Sequence, residues 1–243
     1  MLFAPLYDVT TVGRDLSLPK HSDVVLLTVP DHAVAEVAQA VPQGPVVLHC
    51  AGALDLDVLA PHQRRGSFHP LMTFPGPELG LPDPSDVPVA LAGEPEALGV
   101  ARRLADDVGM RAFEVPGDRR LYHAAAVIAG NLAMVLMDEA ATVLEHAGVG
   151  REVAFDVLTP LALRSVNNAA LGLPQALTGP IARSDQTTLD GHRAALQAHH
   201  PAALPFYEAL VERAIARLSP ATSEVRDDLW QLDPVDDPEG DLS

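Results

Sequence analysis

Along the first half of the chain, short unbroken apolar runs alternate with stretches of helical period. Residues 24–29 (VVLLTV) and 46–50 (VVLHC) carry no polar alternation, as strands buried on both faces of a parallel sheet require. Between them Val34, Val37, Ala38 and Val41 fall on one stripe, which predicts a helix over 32–41 with Asp31 as its cap. Residues 55–62 read as a short helix, Phe68 lies in a brief extended stretch, and 88–92 form a further strand. Pro95 opens a helix that Gly109 stops, and 111–115 close the series. Alternation of strand and helix at this spacing means an α/β domain with a mostly parallel sheet.

Beyond Pro116 no strand pattern remains. Residues 121–146 predict one long helix, apolar all round in its first two-thirds and ended by Gly148. Within it 121–137 (LYHAAAVIAGNLAMVLM) sit at the short limit for a membrane span, but they contain His123 and Asn131, so a buried core helix is expected. Thr159-Pro160 divides 151–158 from 160–171, giving two helices or one kinked helix. Residues 173–182 read as loop, Asp185 as the cap of a helix over 186–199, and 201–218 as the last helix. From 219 to 243 eight acids face one base, Arg226, the pattern of a solvated, disordered tail in which Trp230 and Leu232 could dock on the body. The expected organisation is an α/β domain over 1–116, an all-helical domain over 117–218 and the acidic tail.

Charge then narrows the partners. Sixteen Lys+Arg against 33 Asp+Glu give −17 over 243 residues, which argues against nucleic acid or an anionic membrane as main partner. A single cysteine, Cys50, excludes an intramolecular disulfide and a thiolate metal cage and fits a reducing compartment. Residues 1–7 carry no positive stretch leading into a long apolar run, so no secretory signal is expected and the predicted location is cytoplasmic.

Several polar residues stand where chemistry could occur. His49 and Cys50 end a predicted strand, and doubly wound sheets bind ligands outside the carboxyl ends of their strands. His49 could polarise a carbonyl, exchange a proton, or simply bond a loop carbonyl. Cys50 as a nucleophile would have no partner but its neighbour. Pro70 holds His69 extended, either toward a cleft or in a structural turn. His123 and Asn131 lie eight residues apart in an apolar segment, where they line a site or bond between helices. Thr178 and Gly179 form a turn, and Arg183 near a helix start could hold a carboxylate or phosphate. Asp185 reads as a cap and His192 as helix packing, while Asn167 and Asn168 stay open between loop and substrate contacts. His49, His69, His123 and His192 could in principle converge on a metal, but no H-x-x-x-H spacing supports it and none is predicted.

The segments VVLLTVPDHAVAEVA (24–38), HCAG (49–52), GSFHPLMTF (66–74), LYHAAAVIAGN (121–131) and ALTGPIARSDQTTLDGH (176–192) occur in an order that resembles one family. It is that of Rossmann-like proteins carrying domain of unknown function 2520, relatives of pyrroline-5-carboxylate reductase and the 6-phosphogluconate dehydrogenase superfamily. The resemblance implies a Rossmann-like, mostly parallel sheet domain, an all-helical dimerisation domain and a homodimer. It implies an NAD(P)-dependent oxidoreductase acting on a small acidic substrate in an interdomain cleft. On that reading His123, Asn131, His49 and His69 are catalytic, Val29, Pro30, Asp31 and Cys50 meet NADP or NAD, and Thr178, Gly179 and Arg183 hold the substrate. The family has Ser where Ala51 stands and Gly where Ser184 stands. It should also open with a strand and a G-x-G-x-x-G turn, and no such motif occurs here. Residues 7–12 (YDVTTV) align better with the family's second strand. Three accounts are open: a start called too late, a rearranged sheet with 7–12 at its centre, or a degenerate member. The missing turn predicts weak nucleotide binding. A non-catalytic cleft-binding or scaffold protein is the alternative function.

Overall fold

Continuous β-branched runs form strands wherever both faces of the sheet are covered. The computed structural model describes residues 3–13, 18, 21–74, 76, 78 and 80–218. Its strands β1 (Val24–Leu27), β2 (Val46–His49), β3 (Arg65–Pro70), β4 (Pro88–Gly93) and β5 (Arg111–Glu114) make one sheet in the order β1-β2-β3-β4-β5. All neighbours are parallel except β3 and β4, which are antiparallel. The chain leaves β3 at Pro70 and returns beside it, with Leu71 N–H donating to the Pro88 carbonyl at 2.7 Å, so no crossover helix is needed.

Each face has its own core. On one, α1 (Val34–Ala40) lays Val34 and Ala38 over Val25, Leu27 and Val47, with Leu59 from the 3-10 turn Leu56–Leu59 beside them. On the other, α2 (Pro95–Asp107) presents Ala97, Ala101 and Ala105, a narrow stripe that lets the helix approach Leu48, Phe68, Val89 and Leu91 closely. His62, fully within the α1 core, is satisfied by the Ala38 carbonyl at 2.8 Å.

Several expectations are corrected here. Residues 7–12 form no strand, so the rearranged sheet fails and β1 is an edge among the described residues. The reason is visible nearby: Phe3 packs edge-on to Phe68 and Tyr7 bonds Asp107, which draws this segment across the α2 side. Asp31 caps nothing; Asp31–Ala33 is a 3-10 turn with Pro30 at the N-cap position, and α1 begins only at Val34. The long helix is divided at Gly130 into α3 (Arg119–Ala129) and α4 (Asn131–His146). Gly130 adopts φ −102° and ψ −80°, a poor helix former leaving the helical geometry in mid-run. Nor is this stretch a buried core: Leu121, Ile128, Leu132, Met134 and Val135 are 51–73% exposed. By length and composition alone Arg119–His146 could cross a membrane; the break at Gly130 falls at its middle.

Contacts divide the chain into two compact units that meet between Met134 and Val135, so α3 belongs with the sheet. In the second unit α5 (Arg151–Asn167) runs as one helix through Pro160, followed by a 3-10 turn at Asn168–Leu171. The expected loop holds two single-turn helices, α6 (Leu173–Ala176) and α7 (Gly179–Ala182). Then come α8 (Gln186–His199) and α9 (Leu204–Leu218), joined by Arg193–Glu208 at 2.6 Å and by His192 to the Tyr207 hydroxyl at 2.9 Å. The latter bears out the packing role of His192. Residues 219–243, with Trp230 and Leu232, lie outside the described residues.

Candidate functional site

Strand register alone assembles the first part of the site. His49 on β2 is level with Ser67 on β3, and both share the face that carries Leu27 and Val47. His69 follows two residues along the same strand face, beyond the carboxyl end of β2. Helix α3, capped by the Asp118 carboxylate accepting from Arg120 N–H, then brings Arg119, Tyr122 and His123 to this edge. The Tyr122 hydroxyl lies 2.6 Å from His69 Nδ1, and its ring meets Phe113 of β5 edge-on. The rings of His69 and His123 are 6.1 Å apart between centroids. Arg119 Nη2 donates to the Ala51 carbonyl at 3.2 Å. Gly52 is required by this crowding: a Cβ there would overlap the His123 ring and approach His69 Nε2 to 2.9 Å.

The electrostatics are unusual for so acidic a chain. His49 is wholly buried, and burial followed by the nearby Arg119 charge pushes its pKa down to about 4. Burial, then Arg119 and His123, likewise lower His69, so both imidazoles are neutral at pH 7. Burial pushes the Cys50 thiol up to about 12, which leaves it protonated and inert as a nucleophile. Arg119 is 4% exposed, and among the described residues no carboxylate stands within ion-pair distance of it. Its pKa is lowered by burial, against the opposing influence of Tyr122 and Asp55.

Both ring nitrogens of His49, Ser67 Oγ, and Arg119 Nε and Nη1 are buried with no hydrogen-bond partner. Each such atom costs about 1–3 kcal/mol. Together they would cost roughly what a whole domain retains as net stability, so water or a polar ligand must satisfy them. The loop carbonyl of Ala51 does act on His49, opposing the lowering by burial and Arg119, but no bond of ordinary geometry forms to either ring nitrogen.

Of the residues expected from sequence, His49, His69 and His123 are brought together, and Cys50 sits beside them in the chain. Asn131 is exposed at the start of α4, past the Gly130 break, and makes no hydrogen bond to this cluster. Val29 packs against the α1 core, while Pro30 and Asp31 are exposed after β1, the Asp31 charge acting on His69 from a distance. In the second unit Thr178 stands at the α7 N-cap without a side-chain bond, Gly179 has φ +83°, and Arg183 is exposed. Asp185 caps α8 by accepting from Thr188 N–H at 3.0 Å, so a carboxylate already takes the helix start expected to assist Arg183. No set of three His, Cys, Asp or Glu side chains among the described residues could hold a metal ion. Sequence reasoning passed over Arg119, Tyr122 and Ser67. Ser67 alternates with His69 on one strand, Tyr122 precedes His123, and an arginine opening an apolar helix was a visible anomaly.

The described turns do not suit a dinucleotide's diphosphate. After β1, Pro30 lacks an N–H and Asp31 brings negative charge. After β2, Gly52 is packed against histidines, and α2 opens with Glu94, Pro95 and Glu96. None offers the row of free backbone N–H groups that cradles phosphate.

Comparison with known proteins agrees with this architecture. A Rossmann-like domain profile matches residues 8–75, and the domain of unknown function DUF2520 matches residues 87–214, more than half of the chain. A proposed NADP oxidoreductase from Bacteroides fragilis is 25% identical with a TM-score of 0.69, over 84% of this chain and 80% of its own. A protein from Thermotoga maritima is 24% identical, TM-score 0.68, over 83% and 80%. A 1-pyrroline-5-carboxylate reductase from Streptococcus pyogenes is 17% identical, TM-score 0.54, over 80% and 76%. No curated protein matches. The shared fold is that of these reductases, a Rossmann-like sheet followed by a helical part. On the match over 87–214, the chain belongs to the family defined by the domain of unknown function DUF2520.

Proposed function

We propose that this chain is an oxidoreductase-type protein whose cluster at the carboxyl ends of β2 and β3 takes a small acidic compound, with NADP or NAD as its weakly held redox partner. The observation that carries this is the hydrogen-bonded pair of neutral His69 and Tyr122 beside buried Arg119. A neutral imidazole and a phenol sharing one hydrogen can pass a proton to a carbonyl or imine and recover it along the same line. Val29, Pro30, Asp31 and Cys50 are the residues proposed to meet the nucleotide. No step is assigned to the nucleotide, because the turns present do not fit its diphosphate.

That mismatch favours a second reading, a cleft-binding protein without catalysis. One experiment separates the two. The full chain is mixed with NADPH and a panel of small 2-oxo and imino acids, and NADPH oxidation is followed alongside calorimetric nucleotide titration. The first reading expects oxidation that Tyr122→Phe and His69→Asn each slow by about 100-fold or more. Nucleotide constants should be millimolar, for want of a phosphate cradle. Acid binding without any oxidation supports the second reading. Micromolar NADPH affinity would overturn the account of the turns. The exposed apolar face of α3 and α4 supports association of two copies, so a homodimer is part of the proposal.

A further inference from the structure

We propose that Arg119 anchors the anionic group of the ligand at this site, an oxyanion of carboxylate or phosphate type, with His49 and Ser67 as neutral donors beside it. The inference rests on reading this cluster as a binding site and needs no redox chemistry.

Partner supply sets Arg119 apart. The chain holds 33 acids against 16 Lys+Arg, so carboxylates are abundant. The next residue, Arg120, is paired with Asp118 at 2.9 Å, and Arg64 with Glu96 at 2.7 Å; Arg102, Arg151 and Arg193 have carboxylates too. Those arginines are exposed or partly so. Arg119, the buried one, has no carboxylate within ion-pair distance among the described residues. Asp55 acts on it only through space.

A purely structural arginine should use its donors. A guanidinium offers five N–H groups in a planar fork. Here the Ala51 carbonyl takes one at 3.2 Å, and the Tyr122 ring lies 5.8 Å from the guanidinium carbon. Nε and Nη1 remain buried and unpartnered. The Arg119 charge acts on His49, and Ser67 stands level with His49 across β2 and β3; neither Ser67 Oγ nor the His49 ring nitrogens have a hydrogen bond of ordinary geometry. An oxyanion matches this set. Two of its oxygens accept in parallel from one guanidinium edge, and a hydroxyl or a neutral imidazole N–H donates to what remains. A neutral polar ligand would leave the cation uncompensated, and a cationic one would be repelled. The rigid supports are already built, since Asp118 caps the helix that carries Arg119 and Gly52 leaves room for the histidine rings.

The test uses the full chain, with inorganic phosphate and with succinate as separate probes and sodium chloride at matched ionic strength as the control. Thermal unfolding and calorimetric titration are read at pH 7 for the wild type, Arg119→Gln, Arg119→Lys and Arg120→Gln. One or both probes should raise the wild-type melting temperature beyond the chloride control, and which one does so separates phosphate from carboxylate. Arg119→Gln should weaken the effective probe about 10- to 100-fold, the worth of a lost charge-assisted pair. Arg119→Lys should recover part of it, and Arg120→Gln should change nothing. The unliganded Arg119→Gln protein should melt no lower than the wild type, because an unpaired buried charge has been removed. Wild type that responds to neither probe, or Arg119→Gln that binds as well while melting lower, overturns the proposal in favour of a structural role. Oxyanion binding without NADPH oxidation would sink the reductase reading and leave this inference standing. Oxidation that survives Arg119→Gln would do the reverse.

Discussion

His49 is the residue whose environment speaks most plainly. Its pKa of about 4 in the folded chain lies below the ordinary 6.5, burial being the chief cause. As pH falls through 6.5 the unfolded chain takes up a proton on this ring, while the folded chain does so only near pH 4. The stability that depends on keeping His49 neutral is therefore complete above 6.5 and drains away between 6.5 and 4. Near pH 5 the loss from this one group is about 2 kcal/mol. Urea unfolding near pH 7.5 and near pH 5, in buffers free of phosphate, should show His49→Gln losing about 2 kcal/mol less than wild type between the two conditions. Equal losses would mean that the ring is reached by water or protonated in the fold. Part of this was open to sequence reasoning: a histidine ending an apolar run belongs at a strand's carboxyl edge. Its place near the Arg119 charge and level with Ser67 was not, because those residues arrive from other elements.

At the scale of elements, Ser184 explains a departure from the family. It has φ +54°, and the turn around it is a helix stop in which Ser184 N–H donates to the Ile181 carbonyl and Asp185 N–H to that of Pro180. A left-handed residue at that point favours glycine, the residue the family resemblance led us to expect. Ser184→Gly should stabilise the protein by about 0.5–1 kcal/mol, relief of left-handed strain outweighing the added chain entropy. The denaturant midpoint should rise with an unchanged slope, and a fall would mean that the serine side chain contributes more than its strain costs. Element existence was the legible part of the fold. Buried valine runs gave strands β1 and β2 within a residue or two, and Pro95 with Gly109 bracketed α2. What failed were breaks within apolar stretches. Gly130 interrupts a helix without changing the hydrophobic pattern, and residues 7–12 alternate well enough for a strand but begin at Tyr7, which Asp107 holds, just after Phe3 docks on Phe68. The antiparallel step from β3 to β4 escaped for a related reason, since both strands read as buried whichever way they run.

For the whole molecule, the exposed apolar surface decides the next question. Leu121, Ile128, Leu132, Met134 and Val135 run through α3 and α4, and α5 exposes Val157, Leu161, Leu163 and Val166 as well. Isolated exposed leucines are ordinary, but several large apolar side chains exposed on one helix, as on α3 in the first unit and on α5 in the second, mark surfaces that are covered in use. A second copy is the proposed cover, because a chain of net charge −17 is poorly suited to an anionic bilayer, whereas an apolar stripe pairs well with itself about a two-fold axis. Light scattering at micromolar concentration should return a mass of about 51 kDa, twice the 25.7 kDa chain. Val135→Asp and Met134→Asp test the contact directly. Both side chains are exposed in the single chain, so a charge there should leave the helical circular dichroism intact while the mass falls to that of one chain. Removing residues 222–243 should leave the dimer unchanged, since two like-charged tails repel. A wild-type protein that stays a folded monomer at micromolar concentration would show that something other than a second copy covers this face.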